Sequence, residues 1–130
     1  MIGRNNPLNV RYQRLNKWKV QIGQRKGFCE FSELEFGVRA AMYLVCRSYP
    51  QRGIMTYSEI INAYAPATEN NTFAYVKFVC DNMGVFPFDT PYLNKQHVTI
   101  PLLIHIMSIY EGNKVSIEFC DRVYELYFKR

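Results

Sequence analysis

The sequence lacks the motifs that several large enzyme classes require. It has no GxxxxGK[ST] loop and no GxGxxG turn, so neither of the common phosphate-binding devices of nucleotide enzymes is written in it. Its two histidines, His97 and His105, are too few for a histidine-rich metal site and leave little room for a Ser-His-Asp or Cys-His device. The four cysteines, Cys29, Cys46, Cys80 and Cys120, are spaced too widely for a zinc knuckle or a redox pair. They read as reduced core fillers of a protein made in a cytoplasm, although the spacing is also compatible with one oxidised pair. No apolar run approaches a membrane span. The stretch Met1-Ile2-Gly3-Arg4-Asn5-Asn6-Pro7 begins polar and develops no apolar core, so no secretory signal is expected. No cofactor and no metal are expected.

What the chain does have is aromatic bulk. Of 130 residues, 48% are hydrophobic and 15% aromatic, including 10 Tyr and 9 Phe, which excludes a disordered chain and predicts one domain with an aromatic core. The net charge is +5, and Arg4, Arg11, Arg14, Lys17, Lys19, Arg25 and Lys26 crowd the N-terminal part. A basic surface favours polyanions, nucleic acid or an anionic cell-wall polymer among them. The cations are scattered, and no zinc-finger, helix-turn-helix or aromatic RNA-binding signature accompanies them, so no specific nucleic-acid partner is expected.

The pattern divides the domain at about residue 31. Before it, polar and apolar positions alternate in Leu8-Asn9-Val10-Arg11-Tyr12, in Trp18-Lys19-Val20-Gln21-Ile22 and in Phe28-Cys29-Glu30-Phe31, which predicts a small extended lobe over 1–31. Over 32–130, helix signals dominate. Ser32-Glu33-Leu34-Glu35 has capping-box spacing and opens an apolar face that Pro50 is expected to end. A second box, Thr56-Tyr57-Ser58-Glu59, opens a helix that Ala65-Pro66 ends. Asn71 or Thr72 caps a helix that Gly84 closes. Thr99 is expected to cap the next, with Pro101 in its first turn, and Ser116 the last. The fold class is therefore mainly α, an α+β arrangement with about five helices.

Glu111 stands out on this scaffold. The apolar helix pattern Ile104-His105-Ile106-Met107-Ser108-Ile109-Tyr110 delivers it to a helix C-terminus and stops on Gly112. A helix C-terminus carries partial negative charge and disfavours an ionised carboxylate, which suits a general acid. His105, on the same apolar helix, reads as a packing residue. The other polar concentration is Ala65-Pro66-Ala67-Thr68-Glu69-Asn70-Asn71-Thr72-Phe73-Ala74-Tyr75, a loop running into a helix N-terminus. Its amides, Glu69 and Tyr75 form a set suited to hydrogen-bonding a sugar or a peptide. Trp18, the sole tryptophan, is suited either to stacking on a sugar or to anchoring the core.

In this order and spacing, several pieces resemble the lysozyme-like structural proteins of bacteriophage virions and prophages, whose relatives include lytic transglycosylase-like muralytic enzymes. They are Asn6-Pro7-Leu8-Asn9-Val10-Arg11-Tyr12, Trp18, Gly27-Phe28-Cys29-Glu30-Phe31, Glu35-Phe36-Gly37-Val38-Arg39-Ala40-Ala41, Ile60-Ile61 before Ala65-Pro66, Glu69-Asn70-Asn71-Thr72 with Tyr75, and Glu111-Gly112. The resemblance spans nearly the whole chain. It departs at Tyr110-Glu111-Gly112-Asn113, where the phage relatives tend to show His-Glu-Asn-Gly.

The resemblance implies a lysozyme-like fold that acts on the glycan strand of peptidoglycan. Glu111 would be the general acid and base, and Glu69 a candidate second carboxylate. Glu35 is another candidate for that place, though the capping box already explains it. Asn9, Arg11, Trp18, Asn70, Thr72 and Tyr75 would bind substrate. The resemblance also implies a protein made in the bacterial cytoplasm without a signal peptide, then virion-associated or released to the wall, with other virion proteins as further partners. The alternative is a non-catalytic virion or wall-binding protein that keeps the shape.

Overall fold

Strand β1 (Gln21–Arg25) turns through Lys26 and Gly27 into β2 (Phe28–Phe31), and the two pair antiparallel as a hairpin. Both turn residues have positive φ, 51° and 85°, the backbone of a two-residue mirror-image turn that glycine accommodates without strain. The side chains of β2 alternate, with Cys29 and Phe31 buried. The computed structural model describes residues 1–13, 18, 21–68, 70–93 and 95–129.

The N-terminal segment runs along β2 without becoming a regular strand. Arg11 forms a single bridge to Phe28, the Cys29 N–H donates to the Val10 carbonyl at 3.0 Å, and the Phe31 N–H donates to the Arg4 carbonyl at 2.9 Å. The extended reading of residues 8–12 is thus met by one bridge alone. The chain has to fold back between Arg4 and Val10, and Asn6 closes that loop. Its side chain is fully buried, with Nδ2 donating to the carbonyls of Val10 and Cys29 and Oδ1 accepting from the Val10 N–H. Three satisfied hydrogen bonds explain why an amide sits in an apolar interior.

Among the described residues, five helices follow. Helix α1 (Leu34–Tyr43) lies against the N-terminal loop at Gly37, where any Cβ would fall 1.9 Å from the Asn5 carbonyl oxygen. The expected capping box at Ser32 is not formed. The N-cap is Glu33, it makes no side-chain cap, and the Glu35 carboxylate instead accepts from the Tyr127 hydroxyl, so it does not reach back to the helix start. Pro50 does not end the helical run either. The run widens into a π-helical stretch, Leu44–Ser48, and continues as Tyr49–Gln51 before turning at Arg52 and Gly53. In that wider turn the Tyr49 N–H reaches back to the Leu44 carbonyl, which spaces the chain so that a proline with no N–H to give follows without breaking it.

Helix α2 (Tyr57–Tyr64) has the expected capping box. Thr56 Oγ1 accepts from the Glu59 N–H at 3.1 Å, and Glu59 Oε1 accepts from the Thr56 N–H at 3.0 Å. Thr56→Ala is expected to lower stability by about 1 kcal/mol. A thermal melt would register this as a midpoint lower by about 3–5 °C.

Helix α3 (Thr72–Met83) is capped by Asn71, whose Oδ1 accepts from the Ala74 N–H, and ends at Gly84. Helix α4 (Gln96–Tyr110) begins earlier than Thr99, with Lys95 at its N-cap, so Pro101 stands inside the helix. The missing proline N–H leaves the His97 carbonyl without its helical partner. His97 lies on an exposed turn where water can serve that carbonyl. Helix α5 (Ile117–Tyr127) is capped by Ser116, as its sequence predicts.

Helix α4 packs against α1, α3 and α5 and buries Ile100, Leu103, Ile104, Ile106 and Met107. One buried apolar cluster joins these residues to Leu8, Val10, Cys29 and Phe31 of the N-terminal part. That continuity fixes the end of α4 against the N-terminal loop. Cys46 and Cys120 are free thiols, and burial pushes both up to about 12, which keeps them protonated and unreactive. No helix among the described residues is long and apolar enough to cross a membrane.

Candidate functional site

Glu111 is the C-cap of α4, its N–H bonded to the Met107 carbonyl, and Gly112 then reverses the chain at φ 86°. The reversal is pinned on both sides. The Asn113 N–H donates to the Ser108 carbonyl at 2.9 Å, and Asn113 Nδ2 donates to the Pro7 carbonyl at 3.2 Å. Below it, Ser108 Oγ donates to the His105 carbonyl and accepts from the Val115 N–H, while His105 Nδ1 lies 2.6 Å from the Val115 carbonyl. His105 is the packing residue its apolar helix implies.

Two segments converge on the Glu111 carboxylate, which is partly buried. Oε1 accepts from Asn9 Nδ2 at 2.8 Å, and Oε2 accepts from the Tyr75 hydroxyl at 2.8 Å. Asn9 comes from the N-terminal loop, with a left-handed backbone (φ 53°) that asparagine tolerates better than most residues. Its own N–H is tied to the Asn6 carbonyl, and the neighbouring Leu8 carbonyl accepts from the Tyr64 hydroxyl at 2.6 Å. Tyr75 comes from α3, is 1% exposed, and stacks on Tyr110 with ring centroids 4.0 Å apart. Burial, reinforced by the Glu111 charge, raises the Tyr75 phenol well above its ordinary value, so it stays protonated and donates. Burial does the same for Tyr64.

A cleft of about 470 Å³ has Asn9 in its lining. Its walls include Arg11, Trp18, Tyr49, Arg52 and Tyr64. Trp18 stands edge-on to Tyr43 at 5.7 Å between centroids. Among the described residues, two atoms of this wall, Asn9 Oδ1 and Trp18 Nε1, are buried without a hydrogen-bond partner. Asn9 belongs both to the carboxylate's hydrogen-bond set and to the cleft.

The structure therefore brings Asn9 and Tyr75 to Glu111, and Arg11 and Trp18 to the adjoining cleft. It uses Asn70 and Thr72 elsewhere. Asn70 Nδ2 donates to the Pro66 carbonyl on an exposed loop, and the buried Thr72 hydroxyl donates to the Ala65 carbonyl, so both hold the turn between α2 and α3. Glu69 lies outside the described residues. Glu35 accepts from Tyr127 and is not part of the Glu111 set. Sequence reasoning missed Asn6, Tyr64 and Arg52. Among the described residues, no three His, Cys, Asp or Glu side chains gather as a metal site.

Chemically, the arrangement is a single carboxyl group oriented by two neutral donors beside an aromatic, cationic cleft. In comparison with known proteins, no family model matches this chain, and no curated protein matches it.

Proposed function

We propose that this chain is a phage-derived peptidoglycan-degrading protein, lysozyme-like or lytic transglycosylase-like, that acts on the glycan strand. The observation that carries the reading is Glu111 held by Asn9 and Tyr75 at a helix end, beside a cleft that shares Asn9. Glu111 would give its proton to the bridging oxygen between two amino sugars as that bond breaks. It would then take a proton from the incoming nucleophile, either water or a hydroxyl of the same sugar. In the second case the substrate supplies the attacking group, and one carboxylate suffices. Asn9 and Tyr75 would fix the direction in which the acid points, and Trp18 and Tyr64 would offer ring surface to sugar. Such a protein would reach the wall from a virion or after release from the host cell.

Turbidity clearance of purified peptidoglycan tests the reading. Clearance by the wild-type protein supports it, and none from folded protein on walls of plausible hosts argues against it. Tyr75→Phe removes one of the two donors and keeps the ring stacked on Tyr110. Clearance is expected to fall about tenfold, a small share of what general acid catalysis supplies. The melting temperature should stay within a few degrees of wild type, since about 1 kcal/mol is at stake in one hydrogen bond.

One observation favours the second reading, a wall-binding protein without chemistry. Both Glu111 oxygens are already occupied by protein donors, and Asn9, not Glu111, forms the wall of the cleft. Under that reading the protein pellets with peptidoglycan and releases no sugar.

A further inference from the structure

We infer that the loop between α3 and α4 is a membrane-docking surface, and that its occupant is the interface of an anionic phospholipid bilayer, into which Phe86 and Phe88 insert. The loop leads into the N-terminal end of α4, whereas Glu111 caps the other end, so the inference goes beyond the glycan reading and does not rest on it.

Phe86, Phe88 and Leu93 are 74%, 86% and 69% exposed. Phe88 and Leu93 border one shallow hollow with Val85 and with Thr99 of α4, so they make a patch rather than scattered surface residues. The exposure is held in place by hydrogen bonds. The Asp89 N–H donates to the Phe86 carbonyl at 3.0 Å, and the Phe86 N–H donates to Asp89 Oδ2 at 2.8 Å. The Pro87 and Asp89 carbonyls accept from the Ser58 and Tyr57 N–H groups at the start of α2, each at 3.0 Å. Just before Leu93, the Tyr92 hydroxyl donates to the Val45 carbonyl. This bonding keeps both phenyl rings turned outward.

The same bonds lower the cost of entering lipid, where an unbonded backbone N–H or carbonyl is expensive. Phe86 and Asp89 have both backbone groups bonded, and Pro87 has no N–H and a bonded carbonyl. Projecting rings need a matching pocket on a protein partner, whereas a bilayer interface takes apolar side chains in any arrangement. Charge favours an anionic bilayer. Lys95, the exposed N-cap of α4, lies two residues past Leu93 and one turn before Thr99, which places it at the border of the patch. Among the described residues it has no carboxylate partner. Asp89 is the acid of the loop, with one oxygen engaged by the Phe86 N–H. The whole chain carries +5, which draws it toward a negative surface.

The test is sedimentation of the full chain with vesicles of phosphatidylcholine and phosphatidylglycerol in equal parts, beside vesicles of phosphatidylcholine alone. Wild-type protein should bind the mixed vesicles about tenfold tighter at low salt, and the preference should shrink at high salt. The double variant Phe86→Ser, Phe88→Ser should weaken binding to the mixed vesicles about tenfold or more, and Lys95→Gln about fivefold. All three side chains are exposed, and melting curves verify that the variants fold. In Phe88→Trp, brominated lipid should quench the added indole and spare Trp18, which stands in the cleft at Asn9. Wild-type protein that does not pellet with the mixed vesicles overturns the inference, and self-association abolished by the double variant would then assign the patch to a second copy of the chain. Binding undiminished in the double variant also overturns it, since charge alone would then hold the protein to lipid.

Discussion

Glu111→Gln is expected to abolish clearance of peptidoglycan, lowering its rate by about 10²–10⁴, the range that a positioned general acid supplies. The substitution separates chemistry from architecture unusually well at this position. A glutamine oxygen can still accept from Asn9 Nδ2, and its amide nitrogen can donate to Tyr75, whose hydroxyl is free to rotate. The variant should therefore fold and melt within about 1 kcal/mol of wild type. It retains the cleft and should still bind walls. Loss of clearance with retained binding assigns the proton transfer to Glu111. Retained clearance in this variant would remove Glu111 from the mechanism.

The second large effect is on stability. Asn6→Ala is expected to cost about 3–5 kcal/mol, because it strips a buried side chain of three hydrogen bonds and leaves the Val10 N–H and the Cys29 carbonyl oxygen without these partners. Val10 keeps one bond at its carbonyl, from the Cys29 N–H, so the largest share falls on the other two groups. In a chain of this length the melting temperature should drop by about 10–20 °C. Function is tied to the same residue through the backbone. Asn6 closes the loop whose next turn presents Asn9, and the Asn9 N–H is bonded to the Asn6 carbonyl. Clearance measured well below the melting point of the variant should therefore still fall, because the loop no longer holds Asn9 against Glu111. A variant as stable as wild type would show that the loop is held by its backbone bonds to β2 alone.

Local chemistry made parts of this architecture legible. The capping box at Thr56, the caps at Asn71 and Ser116 and the stop at Gly84 each depend on residues within one helical turn, and each occurs where the sequence places it. The misread ends depend on distant partners or unusual backbone. Ser32 does not cap α1, since the glutamate meant to complete its box is taken by Tyr127, far along the chain. Pro50 sits behind a π-helical turn that no local pattern announces, and Pro101 lies inside α4 because Lys95 starts that helix earlier.

The site divides in the same way. Glu111 was visible as a carboxylate carried to a helix end, and Tyr75 as a polar ring one turn into the helix that follows the polar loop. Asn9 entered through the resemblance to phage lysozyme-like proteins. Its pairing with Glu111 joins the first residues of the chain to nearly the last, and no spacing rule reaches that far. Asn70 and Thr72 look like ligand groups in sequence because free amides and hydroxyls on a loop do. In the fold their hydrogen bonds go to the Pro66 and Ala65 carbonyls. Arg52, which no sequence pattern singles out, follows the helical run that continues past Pro50 and lines the cleft.

The most direct measurement is mass analysis of the soluble products after the wild-type protein is incubated with purified peptidoglycan, with Glu111→Gln run alongside. Soluble disaccharides with reducing or anhydro ends, absent from the Glu111→Gln digest, are the result predicted here, and the type of end names water or the sugar's own hydroxyl as nucleophile. A folded wild-type protein that binds walls and releases no sugar would contradict the catalytic account.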